Sequence, residues 1–315
     1  MATATTTPEQ ELAWEAEQRP RAVGAAAAAA ILVFGSPLLL LTAVQHGFPT
    51  IGPVQGLSPA LRGIASPPID PRYVQVHFLN DHAPGVIAYA IGNLLGLVAM
   101  SVALLYLYRA TRARKPDVPD AFRWLILLGP AIAGLALLGS EIVTLARASS
   151  FPAHCTANGA CNHDAVNHVL SRSLLLGSLG TLGTLATAFG LVIVSLNAMR
   201  VGLLTRFMGV LGIITGVLFV LPITGGLPVV QAFWLGALVP LYMGRWPQGQ
   251  PPAWLTGRAE PWPSAQDVRA QRDADRNRAE AKAIQAKPAA SEETEGAEPI
   301  RPTHPSSKKR RKRRR

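Results

Sequence analysis

Two long apolar stretches separated by a short basic step constrain the fold of this chain more than any other feature. The first stretch is Leu174–Leu196, the second is Phe207–Thr224, and Arg200 and Arg206 lie between them. A helix needs roughly 20 apolar residues to cross the hydrocarbon core of a bilayer, and Lys and Arg are concentrated in cytoplasmic connections. The pattern therefore predicts a transmembrane helical hairpin whose turn lies in the cytoplasm.

The composition indicates a membrane protein with a basic tail. Hydrophobic residues make up 49% of the 315 residues and charged residues only 16%, whereas soluble domains carry about 25% charged residues. The formal net charge is +11, but 17 Lys and Arg against nine Asp and Glu lie between Arg245 and the C-terminus. The basic character therefore mostly describes this last segment, and nucleic acid is not an expected partner of the whole chain.

Further apolar stretches repeat the pattern, so the sequence predicts an all-α fold, a polytopic membrane helical bundle of about six transmembrane helices. The predicted spans are 22–44, 86–108, 124–146, 174–196, 207–224 and 229–243. Residues 1–20 form the predicted N-terminal segment, residues 21–244 the six-helix domain, and residues 245–315 a largely disordered tail. The first apolar stretch is longer than the roughly 7–15 residues of a signal peptide, so we interpret it as an uncleaved anchor helix.

Basic residues in the connections predict the orientation of the bundle. One side carries nine Lys and Arg and the other side four, and the two sides alternate at each crossing. The larger set is Arg19, Arg21, Arg109, Arg112, Arg114, Lys115, Arg123, Arg200 and Arg206, and the smaller set is Arg62, Arg72, Arg147 and Arg172. The side richer in Lys and Arg faces the cytoplasm. Both termini are therefore predicted to be cytoplasmic, in a multi-pass protein of the cell membrane.

Five histidines in or next to the two outward connections form a candidate metal site. They are His77 and His82 at the first connection and His154, His163 and His168 in the second. Imidazole groups that meet from two loops can bind zinc or copper, or respond to acidic pH. Their spacing matches no established zinc motif, and H-E-x-x-H is absent from the sequence. Ordinary loop histidines are therefore the simpler interpretation.

Cys155 and Cys161 are the only two cysteines, and both lie in the second outward connection. In an oxidising compartment, a disulfide that closes this short loop is the natural prediction. The alternatives are thiol redox chemistry, for which the C-x-x-C spacing is missing, and a zinc ion bound by the two thiolates.

Glu141 is the one acidic residue inside a predicted span. A charged side chain in a membrane helix is costly and marks a candidate functional site. Asn93, in the second span, could meet Glu141 between two helices and form a polar site for a proton, an ion or a ligand. The alternative is an interfacial carboxylate that is satisfied by water or by Arg147.

Glycines recur inside the spans, with Gly177, Gly180 and Gly183 in the fourth and Gly209 and Gly212 in the fifth. Small residues let helix backbones approach closely in lipid. Close helix packing is therefore the predicted role of these glycines, and a substrate path lined by them is the alternative.

The chain ends in eight consecutive basic residues, Lys308, Lys309, Arg310, Arg311, Lys312, Arg313, Arg314 and Arg315. A polybasic segment near a membrane attracts anionic lipid headgroups by about 1 kcal/mol per basic residue, and this is the predicted role of the tail. The alternatives are nonspecific binding of nucleic acid and a device for topology and solubility. Trp246, Trp254 and Trp262 follow the last span and are expected at headgroup level.

The segment from Asn197 to Gly212 contains the pattern R-x-x-G-x-x-G at Arg206, Gly209 and Gly212, where one span ends and the next begins. Over about residues 174–246, the chain resembles uncharacterised multi-pass membrane proteins of actinobacteria. These families are largely domains of unknown function. The resemblance therefore implies a bacterial inner-membrane location and no activity.

The sequence favours a non-enzymatic integral membrane protein that serves transport, sensing or membrane assembly. The alternative is a membrane enzyme or metal-binding protein built from the outward histidines and Glu141. The nucleophile motif G-x-S-x-G and the P-loop are absent from the sequence, so no enzyme class and no cofactor are assigned. The expected partners are the lipid bilayer, anionic headgroups at the tail and a second copy of the chain.

Overall fold

The structure is a computed structural model, and every regular element that it describes is a helix. The described residues are 7–43, 48–49, 54, 61–63, 72–158, 163–171, 173–221, 227–247, 249–261 and 265–285, without the side chains of 43, 152–158, 163–165, 265–268 and 283–285. No β-strand occurs in these ranges, so the predicted all-α class is confirmed for them.

The helices of the described residues are α1 (Pro8–Ala43), α2 (Tyr73–Asp81), α3 (Ala83–Arg114), α4 (Phe122–Asn158), α5 (His163–Leu170), α6 (Leu174–Arg200), α7 (Arg206–Val220), α8 (Val229–Tyr242), α9 (Ala253–Thr256) and α10 (Ala265–Gln285). Four helical segments, located at α1, α3, α4 and α6, are long and apolar enough to cross a membrane. They confirm four of the predicted spans as membrane-length helices. The apolar helices α7 and α8 have 15 and 14 residues and fall short of the roughly 20 that a crossing needs.

Helix α1 begins earlier than the predicted first span. Residues 8–20, expected as a polar segment ahead of the membrane, form the first turns of α1, which continues through both of its prolines. Glu9 and Glu11 lie in the first turn, where carboxylates stabilise the positive end of the helix dipole. Further along, Ala22, Ala26 and Ala29 are buried at spacings of three or four residues. One small-residue face of α1 thus enters the core.

The six apolar helices pack in a closed ring. Each contacts the next in the order α1, α3, α4, α6, α7, α8, and α8 returns to α1, while α3 and α6 also touch. Two glycines bring α4 and α6 together: a Cβ on Gly183 would lie 2.5 Å from the Ala133 nitrogen, and a Cβ on Gly129 would lie 2.7 Å from the Thr187 nitrogen. The predicted role of glycine in close packing is therefore confirmed at Gly183. A Cβ on Gly177, by contrast, would meet nothing within 4 Å.

The connections predicted to face outward contain folded structure. Helices α2 and α5 and the end of α4 share a small apolar cluster of Val76, Ala148, Phe151, Val166 and Val169. Arg72 donates a hydrogen bond to Asn167 Oδ1 at 2.9 Å, and Arg147 donates to the carbonyls of His168 and Ser171 at 3.1 and 3.0 Å. These contacts join the two connections at one end of the ring.

The chain after α8 returns to the bundle. Trp254 in α9 is 3% exposed, and its indole N–H donates to the Leu203 carbonyl at 2.8 Å. Its ring is therefore packed in the protein interior, whereas the predicted depth of Trp254 at headgroup level stays a prediction. Gly257 ends α9 with a φ of +69°, and the Glu260 amide donates to the Val201 carbonyl at 3.0 Å. We name residues 251–261 the capping segment.

Residues 263–315 form a second unit. Its described part is helix α10, whose described side chains are exposed and include an ion pair between Arg276 and Glu280 at 3.0 Å. An exposed helix that buries no core matches its mixture of acidic and basic residues. Trp262 and residues 286–315 lie outside the described residues.

Candidate functional site

A charged pair is fully buried at the end of the ring where α3 ends, which we name the basic end. Arg114 is the last residue of α3, Glu15 lies in α1, and both side chains are 0% exposed. Arg114 Nη1 donates to Oε1 of the carboxylate, and Nη2 donates to Oε2 at 3.1 Å. A bidentate contact between guanidinium and carboxylate is among the strongest hydrogen-bonded pairs in proteins.

The Arg114 guanidinium has an acceptor for each of its donors. Besides the carboxylate contacts, Nε and Nη2 donate to the Ala253 carbonyl at 3.2 and 2.7 Å, and Nη1 donates to the Ala110 carbonyl at 2.9 Å. A guanidinium carries five N–H donors, and these contacts engage all of them. Because Ala253 begins α9, one side chain joins α1, α3 and the capping segment.

Aromatic rings enclose this pair. Trp254 lies 5.6 Å from the guanidinium carbon, measured to its ring centroid, and stacks on Tyr106 with 5.7 Å between centroids. Tyr106 also stacks on Trp14 at 5.6 Å, and its hydroxyl donates to the Glu15 carbonyl at 3.3 Å. Arg109 lies over the Trp14 ring at 3.9 Å. We name the set Trp14, Glu15, Tyr106, Arg114 and Trp254 the basic-end cluster.

The electrostatics of the pair favour a fixed geometry. Removing two charges from water costs several kcal/mol per ion, which the mutual attraction offsets only when geometry and hydrogen bonding are good. Glu15 and Arg114 meet both conditions. Losing one partner from such a pair costs about 3–5 kcal/mol, whereas replacing both with apolar groups is often neutral.

Two more charged side chains continue the same face of α1. Glu11 precedes Glu15 by four residues and Arg19 follows it by four, the spacing that aligns side chains along a helix. Glu11 Oε2 and Arg19 Nε are buried and have no hydrogen-bond partner in the part of the chain that the structure describes. Buried polar atoms are ordinarily bonded, so these two atoms are open acceptor and donor positions beside the cluster.

The predicted pair of Glu141 and Asn93 lies on neighbouring helices at different depths. A Cβ on Gly134 would lie 3.1 Å from the Leu94 Cα, which fixes the register of the antiparallel helices α4 and α3. Asn93 is therefore opposite residue 135, and Glu141 is six residues further along α4, a distance of about 9 Å. Both residues are partly buried, but the structure does not place them at one level.

The described histidines of the candidate metal site have local contacts. His82 Nδ1 lies 2.9 Å from the Phe78 carbonyl, and its ring stacks on the Phe78 ring. His77 contacts Tyr73 edge to face, and His168 is exposed on α5. Among the described residues, no group of three or more His, Cys, Asp or Glu is arranged to hold a metal ion.

The other predicted site residues lie outside the described side chains. They are His154, His163, Cys155, Cys161 and the run Lys308–Arg315. The disulfide, the complete histidine site and the lipid-binding tail therefore stay predictions.

Sequence reasoning missed the basic-end cluster. In the sequence, Arg114 is one of several basic residues that set the orientation, and Glu15 is one of several acids in a polar segment. The repeat of Glu11, Glu15 and Arg19 at every fourth position, next to Trp14, was the available signal. The partner lies 99 residues away, and no local pattern reveals such a distant pairing.

Comparison with known proteins identified no relatives. No protein-family model, curated protein or solved structure matches the chain. Its function is therefore inferred from the geometry of the chain itself.

Proposed function

We propose that this chain is a non-enzymatic integral protein of a bacterial inner membrane that serves membrane assembly by holding its C-terminal extension at the cytoplasmic face. The observation that carries the proposal is the contact of Arg114 with both the Glu15 carboxylate and the Ala253 carbonyl. Through this contact, the first helix, the centre of the bundle and the segment that leads into the extension meet at one point. Such an arrangement suits a protein that fixes the point from which its C-terminal extension leaves the bundle.

The chemistry of the basic-end cluster supports a fixed joint over a moving one. Separation of Arg114 from Glu15 would leave two charges that are 0% exposed without a partner, at a cost of about 3–5 kcal/mol. Buried polar and ionic groups can set the register between elements. The cluster therefore favours assembly over transport or sensing, both of which require a site that opens.

The hairpin of α7 and α8 is proposed to complete six spans. Helix α7 begins at Arg206, close in sequence to the end of α6, and the Tyr242 hydroxyl at the end of α8 donates to the Ala103 carbonyl in α3 at 3.0 Å. Each helix is about 22 Å long, and local thinning of the bilayer accommodates such a mismatch. If the hairpin re-enters instead of crossing, α8 still ends on the side where α6 ends.

The cytoplasmic orientation is proposed from charge. The basic end carries the largest set of Lys and Arg in the bundle, among them Arg109, Arg112, Lys115, Arg200 and Arg206. Positive residues in short connections stay in the cytoplasm. In this orientation the tail with Lys308–Arg315 reaches anionic headgroups of the inner leaflet.

Single-cysteine labelling in whole cells tests the topology. In a chain with Cys161→Ser, Cys155 should react with a membrane-impermeant maleimide. In a chain that lacks both native cysteines, Asp117→Cys and Ser291→Cys should react only after the cells are permeabilised. Labelling of position 291 in intact cells, or protection of Cys155, would contradict the proposed orientation.

Photocrosslinking from the extension tests the assembly role. A photoreactive residue at position 291 should give a discrete adduct with a second membrane-associated chain or a second copy of this one. The Arg114→Met variant should lose that adduct while it stays in the membrane fraction. Absence of any adduct, or an adduct unchanged by Arg114→Met, would argue against assembly through the basic-end cluster.

A further inference from the structure

A second feature of the basic end is a concave pocket between α6, α7 and the capping segment. Its volume is about 450 Å³, and it is lined by Met199 and Arg200 from α6, Arg206 and Val210 from α7, and Pro261. Two guanidinium groups thus share one pocket with apolar walls. The basic-end cluster includes none of these residues.

The two arginines of this pocket have no partner among the residues that the structure describes. Arg200 and Arg206 are exposed, and neither forms an ion pair or a side-chain hydrogen bond within the described part of the chain. Arg112, at the same end, is paired with Asp120. The pocket therefore concentrates uncompensated positive charge, and arginine binds phosphate through parallel hydrogen bonds.

An apolar stripe runs away from the pocket along α7 and ends at Leu221, the residue that follows this helix. Its members recur at intervals of three and four residues and are exposed by 45–60%: Phe207, Val210, Ile214, Val217 and Leu221. The stripe is about 21 Å long, which exceeds the roughly 15 Å depth of one leaflet of the hydrocarbon core. In the proposed orientation, the stripe begins at the arginines and continues toward the bilayer centre.

The capping segment supplies the third wall of the pocket. Gly202 has a φ of +82°, and a Cβ placed on it would lie 1.8 Å from the Glu260 carbonyl oxygen. Glu260 is further held by its amide, which donates to the Val201 carbonyl at 3.0 Å. These contacts fix Pro261 beside Arg206, so the pocket is built by the fold.

We propose that this pocket binds the phosphate headgroup of one anionic phospholipid through Arg200 and Arg206, with an acyl chain along the stripe that begins at Phe207. The proposal rests on the membrane location in the proposed function but not on the assembly role. A positively charged pocket next to an apolar stripe matches an anionic amphiphile, whereas inorganic phosphate has no apolar part that could lie along the stripe. The site is separate from the polybasic tail, which attracts anionic lipids without a pocket.

The test compares lipid binding by the full chain in nanodiscs of phosphatidylcholine with and without phosphatidylglycerol. A photoreactive phosphatidylglycerol should label the peptide that contains Val210 and Ile214, and unlabelled phosphatidylglycerol should compete. The Arg200→Gln/Arg206→Gln variant should bind about 25-fold more weakly, about fivefold for each arginine. Single variants give the same information if the double variant does not fold.

The control removes the same charge elsewhere at the same end. Arg245 and Arg258 are exposed, so Arg245→Gln/Arg258→Gln lowers the net charge equally while it leaves the pocket intact. Labelling of this control variant within twofold of that of the wild type would support the lipid site. An equal loss in both double variants would show a general electrostatic attraction and overturn the proposal.

Two further outcomes decide between ligands and between proposals. Competition by millimolar inorganic phosphate as strong as that by phosphatidylglycerol would replace the lipid with a free anion, and equal labelling by a photoreactive phosphatidylcholine would exclude headgroup recognition. Extraction of each variant at alkaline pH reports membrane insertion separately. Extraction of the chain from the membrane would contradict the proposed function. A chain that stays inserted but shows no selective labelling would contradict only the lipid site.

Discussion

The buried pair of Glu15 and Arg114 allows a double-mutant cycle with a large expected coupling. Either single change, Glu15→Met or Arg114→Met, leaves an uncompensated charge at a site that is 0% exposed, so each should lower the free energy of unfolding by about 3–5 kcal/mol. The double variant removes both charges, and the Ala253 carbonyl loses its contacts with Arg114 but keeps the Gly257 amide as a donor at 3.1 Å, at a cost of about 1–3 kcal/mol. The double variant should therefore be more stable than either single one.

Thermal unfolding of the full chain in mild detergent, followed by tryptophan fluorescence, measures these differences. A change of 1 kcal/mol shifts Tm by about 2–4 °C in a protein of this size, so each single variant should lose about 6–20 °C. The matched control is Arg112→Met on the same helix, because Arg112 pairs with Asp120 at a partly exposed site, with side chains 34% and 45% exposed. This change should cost less than about 1 kcal/mol.

The cycle has a clear contradicting result. If the losses of the two single variants add in the double variant, the groups do not interact, and the basic-end cluster is not the joint that we describe. Limited trypsin digestion gives a second readout, since release of the capping segment should speed cleavage after Arg258. An unchanged cleavage rate in Arg114→Met would show that the ion pair does not hold the capping segment in place.

Four further substitutions follow from the packing. Gly183→Leu should lower stability by at least about 3 kcal/mol because its Cβ would lie 2.5 Å from a backbone nitrogen, whereas Gly177→Leu, with nothing within 4 Å, should change Tm by less than about 3 °C. Gly202→Ala should release the capping segment, which faster trypsin cleavage would reveal and unchanged cleavage would contradict. The Ser195 hydroxyl is buried without a hydrogen-bond partner among the described residues, so Ser195→Ala should leave Tm unchanged or raise it, and a loss above about 1 kcal/mol would indicate a partner.

The positions of the long helices could be predicted from the sequence because the length of an apolar run reports directly on membrane crossing. Their ends could not. Helix α1 starts at Pro8, and its polar first turns are held by tertiary contacts of Trp14 and Glu15 with α3. A single sequence does not display such contacts, so residues 8–20 carry no visible sign of belonging to the bundle.

The role of glycine was predictable as a class but not position by position. Gly177 and Gly183 differ by six residues, which turns an α-helix by about 240°. Gly183 therefore faces α4, while Gly177 has open space around it. The three-residue spacing in the sequence suggests that these glycines line one groove, but Gly177 and Gly183 lie on different faces of α6.

The candidate site was the least predictable part of the chain. Glu141 attracted attention because an acid inside an apolar run is conspicuous, whereas Glu15 lies among other acids and Arg114 among other bases. A charged residue in a polar stretch of sequence gives no sign that its side chain is buried in the folded protein. The burial of Trp254 was similarly hard to predict, because a Trp that follows a predicted span gives no sign that the capping segment folds back onto the bundle.

The contact between Arg114 and Ala253 also sets a schedule for biosynthesis. The two residues are 139 positions apart, and translation at about 5–20 residues per second separates their appearance by about 7–28 s. During that interval Arg114 and Glu15 are already made, while the carbonyl and indole that complete their surroundings are not. The basic-end cluster of each new molecule therefore cannot form completely until the capping segment has been synthesised. Closure by the capping segment is thus a late step of folding.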